Sequence, residues 1–310
     1  MESFLVSIIM PVYNEEKIIM QNIKTVEKIL VENNFSHELI LIDDGSNDNT
    51  WANIMESSKT IKSIQAFRFS RNFGKESAIC AGLEKVTGDA AIIIDADLQH
   101  PPELIPEMIG LWKNSGFEVV EGIKSSRGKE KIKNRIFASI FYGLLKRFSG
   151  FDLNRSSDFK LLDKKVVLAW KQMNEKNTFF RGMSTWVGYK RTFIPFSVKE
   201  RVGGDSKWSF FTLVKLAITA ITSFSSIPLQ IITLIGSILL IFSFILAIQT
   251  LYLKLSGSAV TGFTTVILLL LIIGSSIMIS LGIIGTYIAK IYDEVKGRPR
   301  YIIADSIENN

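Results

Sequence analysis

The chain has 310 residues, 47% of them hydrophobic and 21% charged, with a mean hydropathy of +0.25. That balance excludes both an ordinary soluble protein and one embedded in a bilayer throughout; it points to a polar domain joined to a membrane segment. The net charge of +6 suits nucleic acid, an anionic membrane face or phosphate ligands, while one cysteine, Cys80, and two histidines exclude an intrachain disulfide and argue against a Cys/His zinc site.

The sequence opens on Met1-Glu2 with no basic segment before a short apolar run, unlike a signal peptide, so the first domain is expected to stay in the cytoplasm. Apolar runs at residues 5–10, 38–42, 63–69, 90–94 and 117–120 alternate with helical stretches. This predicts an α/β domain with a mainly parallel sheet and ligands at the carboxyl ends of its strands. Residues 124–147 place Lys and Arg between Ile132, Ile136, Phe137, Ile140, Phe141, Leu144 and Leu145. That is the spacing of an amphipathic helix, packed on the core or lying on a membrane surface. A second apolar stretch, 208–227, leads to two windows, 229–253 and 256–289, that contain no Asp, Glu, Lys or Arg. Each exceeds the ~20 residues a bilayer-spanning helix needs.

Lys199, Arg201, Lys207 and Lys215 precede the first window and Lys290, Lys296, Arg298 and Arg300 follow the second, with only Lys254 between them. Charge placed this way favours a membrane partner over nucleic acid and puts both termini and the polar N-terminal domain on the cytoplasmic side, as in a multi-pass protein of the inner (plasma) membrane. The expected layout is a cytoplasmic α/β domain over 1–200, a juxtamembrane amphipathic segment over 201–227, a two-helix transmembrane hairpin over 228–290 and a cytoplasmic tail over 291–310. Gly274, Gly282 and Gly285 on the second window permit close helix contact and so a homo-oligomer, although glycine is common in spans.

Three polar motifs end the strand candidates. PVYNEE (11–16) follows the first and DDGSNDNT (43–50) the second. Each alone reads equally as a helix cap or turn, through Asn14, Asp48 or Gly45, but together, at successive strand ends, they suit a nucleotide. Tyr13 offers a ring for a base, and an Asp can accept from a base N–H or a ribose hydroxyl. DADLQHPPE (95–103) ends the fourth strand. Asp95 and Asp97, one residue apart, can converge, and with the Gln99 amide oxygen they are hard ligands for Mg²⁺ or Mn²⁺ on a diphosphate. The plainer reading is a capped turn before Pro101-Pro102, and His100 beside it reads as a bystander.

PVYNEE, DDGSNDNT, SRNFGKE and DADLQHPPE, in this order and spacing, resemble the family 2 glycosyltransferases of GT-A fold, closest to the polyprenyl-phosphate branch. The similarity continues through SSDFKLLDKKVV, FFRGMSTWVGY and RVGGDSKW to the two apolar windows and EVKGRP. The resemblance implies that Pro11, Tyr13, Glu15 and Asp44 hold the nucleotide, with Ile42 and Asp43 beside them, and that Asp95, Ala96 and Asp97 form the metal and diphosphate motif, with Gln99 as a third ligand. It further implies that Arg201 and Lys207 contact the donor diphosphate, that Arg127 meets the lipid phosphate, and that Asp158 belongs to the catalytic centre. Close relatives often have Gly-Asp-Phe-Arg where this chain has Ser157-Asp158-Phe159-Lys160, and Arg where it has Lys124. Arg and Lys differ in bidentate phosphate binding, so the substrate is less secure than the reaction.

The implied reaction moves a sugar, with inversion, from a nucleoside diphosphate sugar (a UDP-hexose such as UDP-glucose before a GDP-sugar) to polyprenyl (undecaprenyl) phosphate, for cell-envelope glycosylation. A phosphate with a second pKa of about 6 is already largely ionised at neutral pH, so Asp158 reads as a positioning residue first and a general base second. The rival reading is a non-catalytic membrane-bound nucleotide-sugar sensor or lipid carrier, which would not need the paired Asp95 and Asp97. A processive synthase would show Q-x-x-R-W and more spans, and a channel would carry ionisable residues within its spans.

Overall fold

The computed structural model describes residues 4–124, 143, 157–173, 175, 179–196, 227–256 and 262–308. The chain divides into two units, residues 1–212 with 298–310, and residues 213–297. Expectations on residues 125–142, on Arg127, Arg201 and Lys207, and on the stretch 208–226 lie outside the described residues.

The first unit is built on an eight-stranded sheet. Strands β1 (Leu5–Val12), β2 (Ser36–Asp43), β3 (Ile64–Phe69) and β4 (Ala90–Ile93) alternate with helices α1 (Ile19–Glu32), α2 (Thr50–Thr60) and α3 (Lys75–Lys85). They pair in parallel in the order β3-β2-β1-β4. Seven of the eight residues of β1 are buried, as strands covered on both faces require. Helix α1 buries Ile19, Ile23, Val26 and Leu30, one stripe of a 3.6-residue period. Helix α3 lies flush on β1, since a Cβ on Gly82 would sit 2.3 Å from Ile9 Cγ2.

The order turns at β4. Helix α4 (Ile105–Ser115), stopped by Gly116 in the left-handed conformation, leads to β5 (Val119–Lys124). Strand β6 (Lys160–Asp163) then slots antiparallel between β4 and β5. Helices α5 (Lys164–Lys171) and α6 (Phe180–Trp186) precede β7 (Arg191–Phe196), which runs parallel to β5. The sheet is thus mixed, as the resemblance to a GT-A fold leads one to expect, and the switch from β1 to its two neighbours β2 and β4 leaves a crevice at the carboxyl ends of these three strands.

The second unit contains α7 (Ile227–Leu255) and α8 (Phe263–Val295). Each carries a 27-residue stretch, of mean hydropathy 2.9 and 2.2, long and apolar enough to cross a membrane. Beyond α8 the chain rejoins the first unit. Strand β8 (Ile303–Ile307) pairs antiparallel with β3 and closes that edge of the sheet. Tyr301 stacks on Phe69 (ring centroids 4.9 Å apart) and donates its hydroxyl to Glu84. Arg300 donates to the Met173 carbonyl at 2.6 Å, so the residues read from sequence only as a tail include a strand of the sheet.

Candidate active site

The loops after β1 and β2 are tied together before any ligand is considered. Asn14 N donates to Ser46 Oγ (2.9 Å), Asn47 N to Asn14 Oδ1 (2.9 Å) and Glu15 N to Thr50 Oγ1 (2.8 Å). Asp48 accepts from Thr50 N and Glu16 N, so Asn14 and Asp48 serve the loop architecture. Asp43, fully buried, accepts from Ser46 N (3.1 Å) and faces Arg68 Nε at 3.4 Å. Burial raises its pKa, against the lowering effect of those partners.

Asp44 reaches the other way. Its carboxylate accepts from Phe73 N (2.7 Å) and Gly74 N (2.9 Å), fixing the loop from β3 to α3. Gly45, at φ +68°, packs against this loop so closely that a Cβ would lie 2.4 Å from Arg71 C. Any side chain there would break the joint. The consequence is a rigid floor that delivers Asn72, Gly74 and Lys75 to the crevice.

The loop after β4 turns back on itself. Leu98 N donates to Asp95 O and Gln99 N to Asp97 Oδ1, both at 3.1 Å. Leu98 sits at φ +47°, a conformation that costs a non-glycine residue roughly 1–2 kcal/mol. Asn22 of α1 holds the turn by donating to the Ala96 carbonyl at 2.7 Å.

These four loops border a cavity of about 400 Å³ lined by Pro11, Val12, Tyr13, Glu15, Asp44, Asn72, Gly74, Lys75, Ala78, Asp95, Ala96 and Asp97. Of the residues expected from sequence, it brings together Pro11, Tyr13, Glu15, Asp44, Asp95, Ala96 and Asp97. Ile42 is buried in the sheet, and neither it nor Asp43 or Gln99 lines this space. Glu15 has its pKa raised, first by burial and then by the neighbouring charges of Asp97 and Asp48. Among the described residues no three His, Cys, Asp or Glu side chains form a metal cage. A pair of carboxylates, crowded by a third at Glu15, suits Mg²⁺ or Mn²⁺, which commonly take one or two carboxylates and complete their shell with water and substrate phosphate.

Asp158, just before β6, sits within an ionic chain that sequence reasoning did not assemble. Lys75 Nζ lies 2.6 Å from Asp95 Oδ1 and 2.9 Å from Asp158 Oδ2. Arg181 of α6 grips Asp158 from the far side, Nε to Oδ1 at 2.7 Å and a terminal nitrogen to Oδ2 at 3.0 Å. Burial would raise the Asp158 pKa, but Arg181 and then Lys75 outweigh it and hold the carboxyl far below its ordinary range. Burial would likewise lower the Lys75 pKa, and Asp95 and Asp158 reverse that. Glu76, next along α3, accepts from Phe180 N at 2.7 Å, and burial pushes its pKa to about 7. The signals for Lys75 and Arg181 were their places in SRNFGKE and FFRG, where neither residue has a periodic or chelating neighbour to mark it.

Lys160, noted from sequence as a departure near the catalytic centre, is fully buried and pairs with Glu121 (3.3 Å), which also faces Arg191 (3.5 Å). Its ammonium donates to Ser184 Oγ at 2.6 Å. It belongs to the scaffold under β5, β6 and α6.

Residues 7–167 match the Glycosyl transferase family 2 domain. The chain is 38% identical, over 98% of its length and 95% of the other's, to the uncharacterized glycosyltransferase YkcC of Bacillus subtilis. It is 38% identical, over 96% of its length and 98% of the other's, to the prophage bactoprenol glucosyl transferase homolog of Escherichia coli. Among solved structures it is similar to glucosyl-3-phosphoglycerate synthase from Mycobacterium tuberculosis in complex with Mn²⁺, UDP-glucose and phosphoglyceric acid, with a TM-score of 0.49 at 18% identity, covering 71% of this chain and 79% of that one.

Proposed function

The chain belongs to the family 2 glycosyltransferases, and from that premise we propose that it transfers a hexose from a nucleoside diphosphate sugar, UDP-glucose or a related UDP-hexose, to undecaprenyl or another polyprenyl phosphate. The observation that carries this reading is the single cavity in which Tyr13, Glu15 and Asp44, suited to a nucleoside, meet Asp95 and Asp97, suited to a diphosphate and its cation. The acceptor is inferred from the near full-length similarity to bactoprenol glucosyl transferases and from two helices able to cross a membrane. A lipid phosphate lies at the headgroup layer, where a membrane-held catalytic domain can reach it.

In this mechanism Tyr13 stacks on the base and Asp44, itself braced by Phe73 N and Gly74 N, bounds the nucleoside. Asp95 and Asp97 would hold Mg²⁺ or Mn²⁺, which when bound neutralises charge on the departing diphosphate. Arg201 and Lys207 add cationic contacts to the diphosphate, and Arg127 to the acceptor phosphate. The phosphate oxygen attacks the anomeric carbon from the face opposite the diphosphate, so configuration inverts. A phosphate dianion needs no base, and Asp158, locked between Arg181 and Lys75, positions cations beside it. The product would be a lipid-phosphate-linked sugar for the cell envelope, made by a multi-pass inner-membrane enzyme with its catalytic domain and both termini in the cytoplasm. Basic residues at 199–215 and 290–300 motivate that topology. A cysteine at position 258 should then be labelled by an impermeant reagent from outside intact cells, and protection there would reverse the orientation.

The decisive experiment supplies purified protein with undecaprenyl phosphate and a panel of nucleotide sugars, with and without EDTA, and weighs the lipid product. A hexosyl lipid from one UDP-sugar that EDTA abolishes and Mg²⁺ or Mn²⁺ restores is expected. Transfer at full rate in EDTA, or no lipid product from any donor, would overturn the reading.

A further inference from the structure

Lys75 occupies an unusual position for a lone ammonium: it spans the carboxylate assigned to the cation and the carboxylate of the catalytic centre, 2.6 Å and 2.9 Å away. The two carboxylates are not equally dependent on it. Asp158 keeps a two-point contact with Arg181, whereas at Asp95 the His100 ring stands farther off, with Nδ1 3.8 Å from Oδ2. Nor is Lys75 loosely placed, because Asp44 fixes the backbone of Phe73 and Gly74 immediately before it, and α3 begins at Lys75 itself. Its side chain remains 42% exposed and lines the cavity, so it has room to move.

A divalent cation would change the charges that Lys75 faces. Without it the ammonium is drawn to both Asp95 and Asp158; with it on Asp95 and Asp97, an ammonium 2.6 Å from the same Asp95 oxygen would meet a like charge over a distance at which charges interact strongly in a part-buried site. Asp158 is the nearby carboxylate that stays available to the ammonium.

We propose that Lys75 is the built-in counterion of Asp95 in the metal-free protein, that a divalent cation at Asp95 and Asp97 competes with it for that oxygen, and that the displaced ammonium stays on Asp158, facing the space where the acceptor phosphate must arrive. Cation loading and the supply of a positive charge to the acceptor are then one event. This rests on the metal reading of the preceding section.

The test measures Mn²⁺ binding to the purified full-length protein in detergent, without nucleotide, from the electron paramagnetic resonance signal of free Mn²⁺. Lys75→Met should bind Mn²⁺ about tenfold more tightly than wild type, because the competitor is gone. Arg181→Met removes an equal charge that contacts Asp158 and should tighten binding by no more than about twofold. Equal tightening in both variants, or none in Lys75→Met, would overturn the competition, leaving only a general field effect or no effect. Absence of Mn²⁺ binding by all three proteins would instead remove the metal reading itself. A second measurement needs no variant: Mn²⁺ should speed the reaction of Lys75 with an amine-directed acylating reagent in wild type, followed by peptide mass, and an unchanged rate would count equally against the proposal.

Discussion

Asp158 and Lys160 flank Phe159 in the chain, yet they belong to ionic clusters of opposite kinds. The cluster of Lys75, Asp95, Asp158 and Arg181 borders a cavity, with Lys75 and Arg181 each more than a third exposed. The cluster of Glu121, Lys160 and Arg191 is sealed, with the first two at zero exposure. Both pair carboxylates with cations, so pairing alone does not mark a site. What separates them is whether an incoming ion or phosphate could reach the charges. In the sealed cluster burial lowers the Lys160 pKa, with Glu121 opposing; Glu121 and Lys160 are wholly buried, and their charges are met by each other, by Arg191 and by the Ser184 hydroxyl. In the open one the same attractions hold groups ready for exchange.

The largest expected effect breaks the sealed cluster. Lys160→Ala removes the ammonium beside the fully buried Glu121 carboxylate and leaves it with the more distant, part-exposed Arg191, and should cost about 3 kcal/mol of stability, read from the urea midpoint. Lys160→Met with Glu121→Leu should recover much of that loss, since it removes both fully buried charges and leaves the part-exposed Arg191 donating to Thr185 Oγ1 and the Ser184 carbonyl. Stability near wild type in Lys160→Ala, combined with lost donor binding, would move Lys160 into the site and erase the contrast.

A smaller effect probes the open cluster through its chemistry. Asp158→Asn should lower turnover by about 10- to 100-fold through misplaced Lys75 and Arg181. Because the Asp158 carboxyl is held far below its usual range, it stays ionised from about pH 5 to 9, and the acidic limb of the wild-type rate profile should persist in Asp158→Asn. Disappearance of that limb would identify Asp158 as a titrating base.

The smallest effect is expected at Glu76, beside the open cluster. Its carboxyl, raised from 4.5 to about 7 in the native protein, holds a proton that the unfolded chain has already released. Its contribution is therefore fully present below about pH 4.5 and declines as pH rises to about 7. Glu76→Gln cannot lose that proton, so it should match wild type near pH 4.5 and exceed it above pH 7, by on the order of 1 kcal/mol. Parallel stability curves from pH 4.5 to 8 would show that burial does not control this carboxyl.

Much of the cavity lining was legible because sequence motif and architecture coincide there. Pro11, Tyr13, Asp44, Asp95 and Asp97 stand where apolar runs stop, and a parallel sheet presents ligands at those stops. Lys75 and Arg181 lacked such a marker. Each follows an ordinary helix start, and what makes them interesting is a meeting with Asp158 from 83 and 23 residues away. Lys160 is the converse case: the sequence marked it only as a departure from the relatives' Arg two residues after Asp158, while the strand carries its side chain into the interior. Strand β8 was hidden by its brevity. Five residues with two exposed charges or hydroxyls among them form a strand only because β3 offers an unpaired edge.

That edge has a consequence for biogenesis. The residues that close it are translated after both long apolar helices, so a nascent catalytic unit leaves the ribosome with β3 and the ring of Phe69 uncovered. Until Tyr301 and β8 arrive, the sheet has a sticky rim of the sort chaperones attend to. A fragment cut before α7 would keep the cavity-lining residues but not this closing strand. It is expected to elute as self-associated species on size exclusion, and supplying the 298–308 peptide should return it to a monomer.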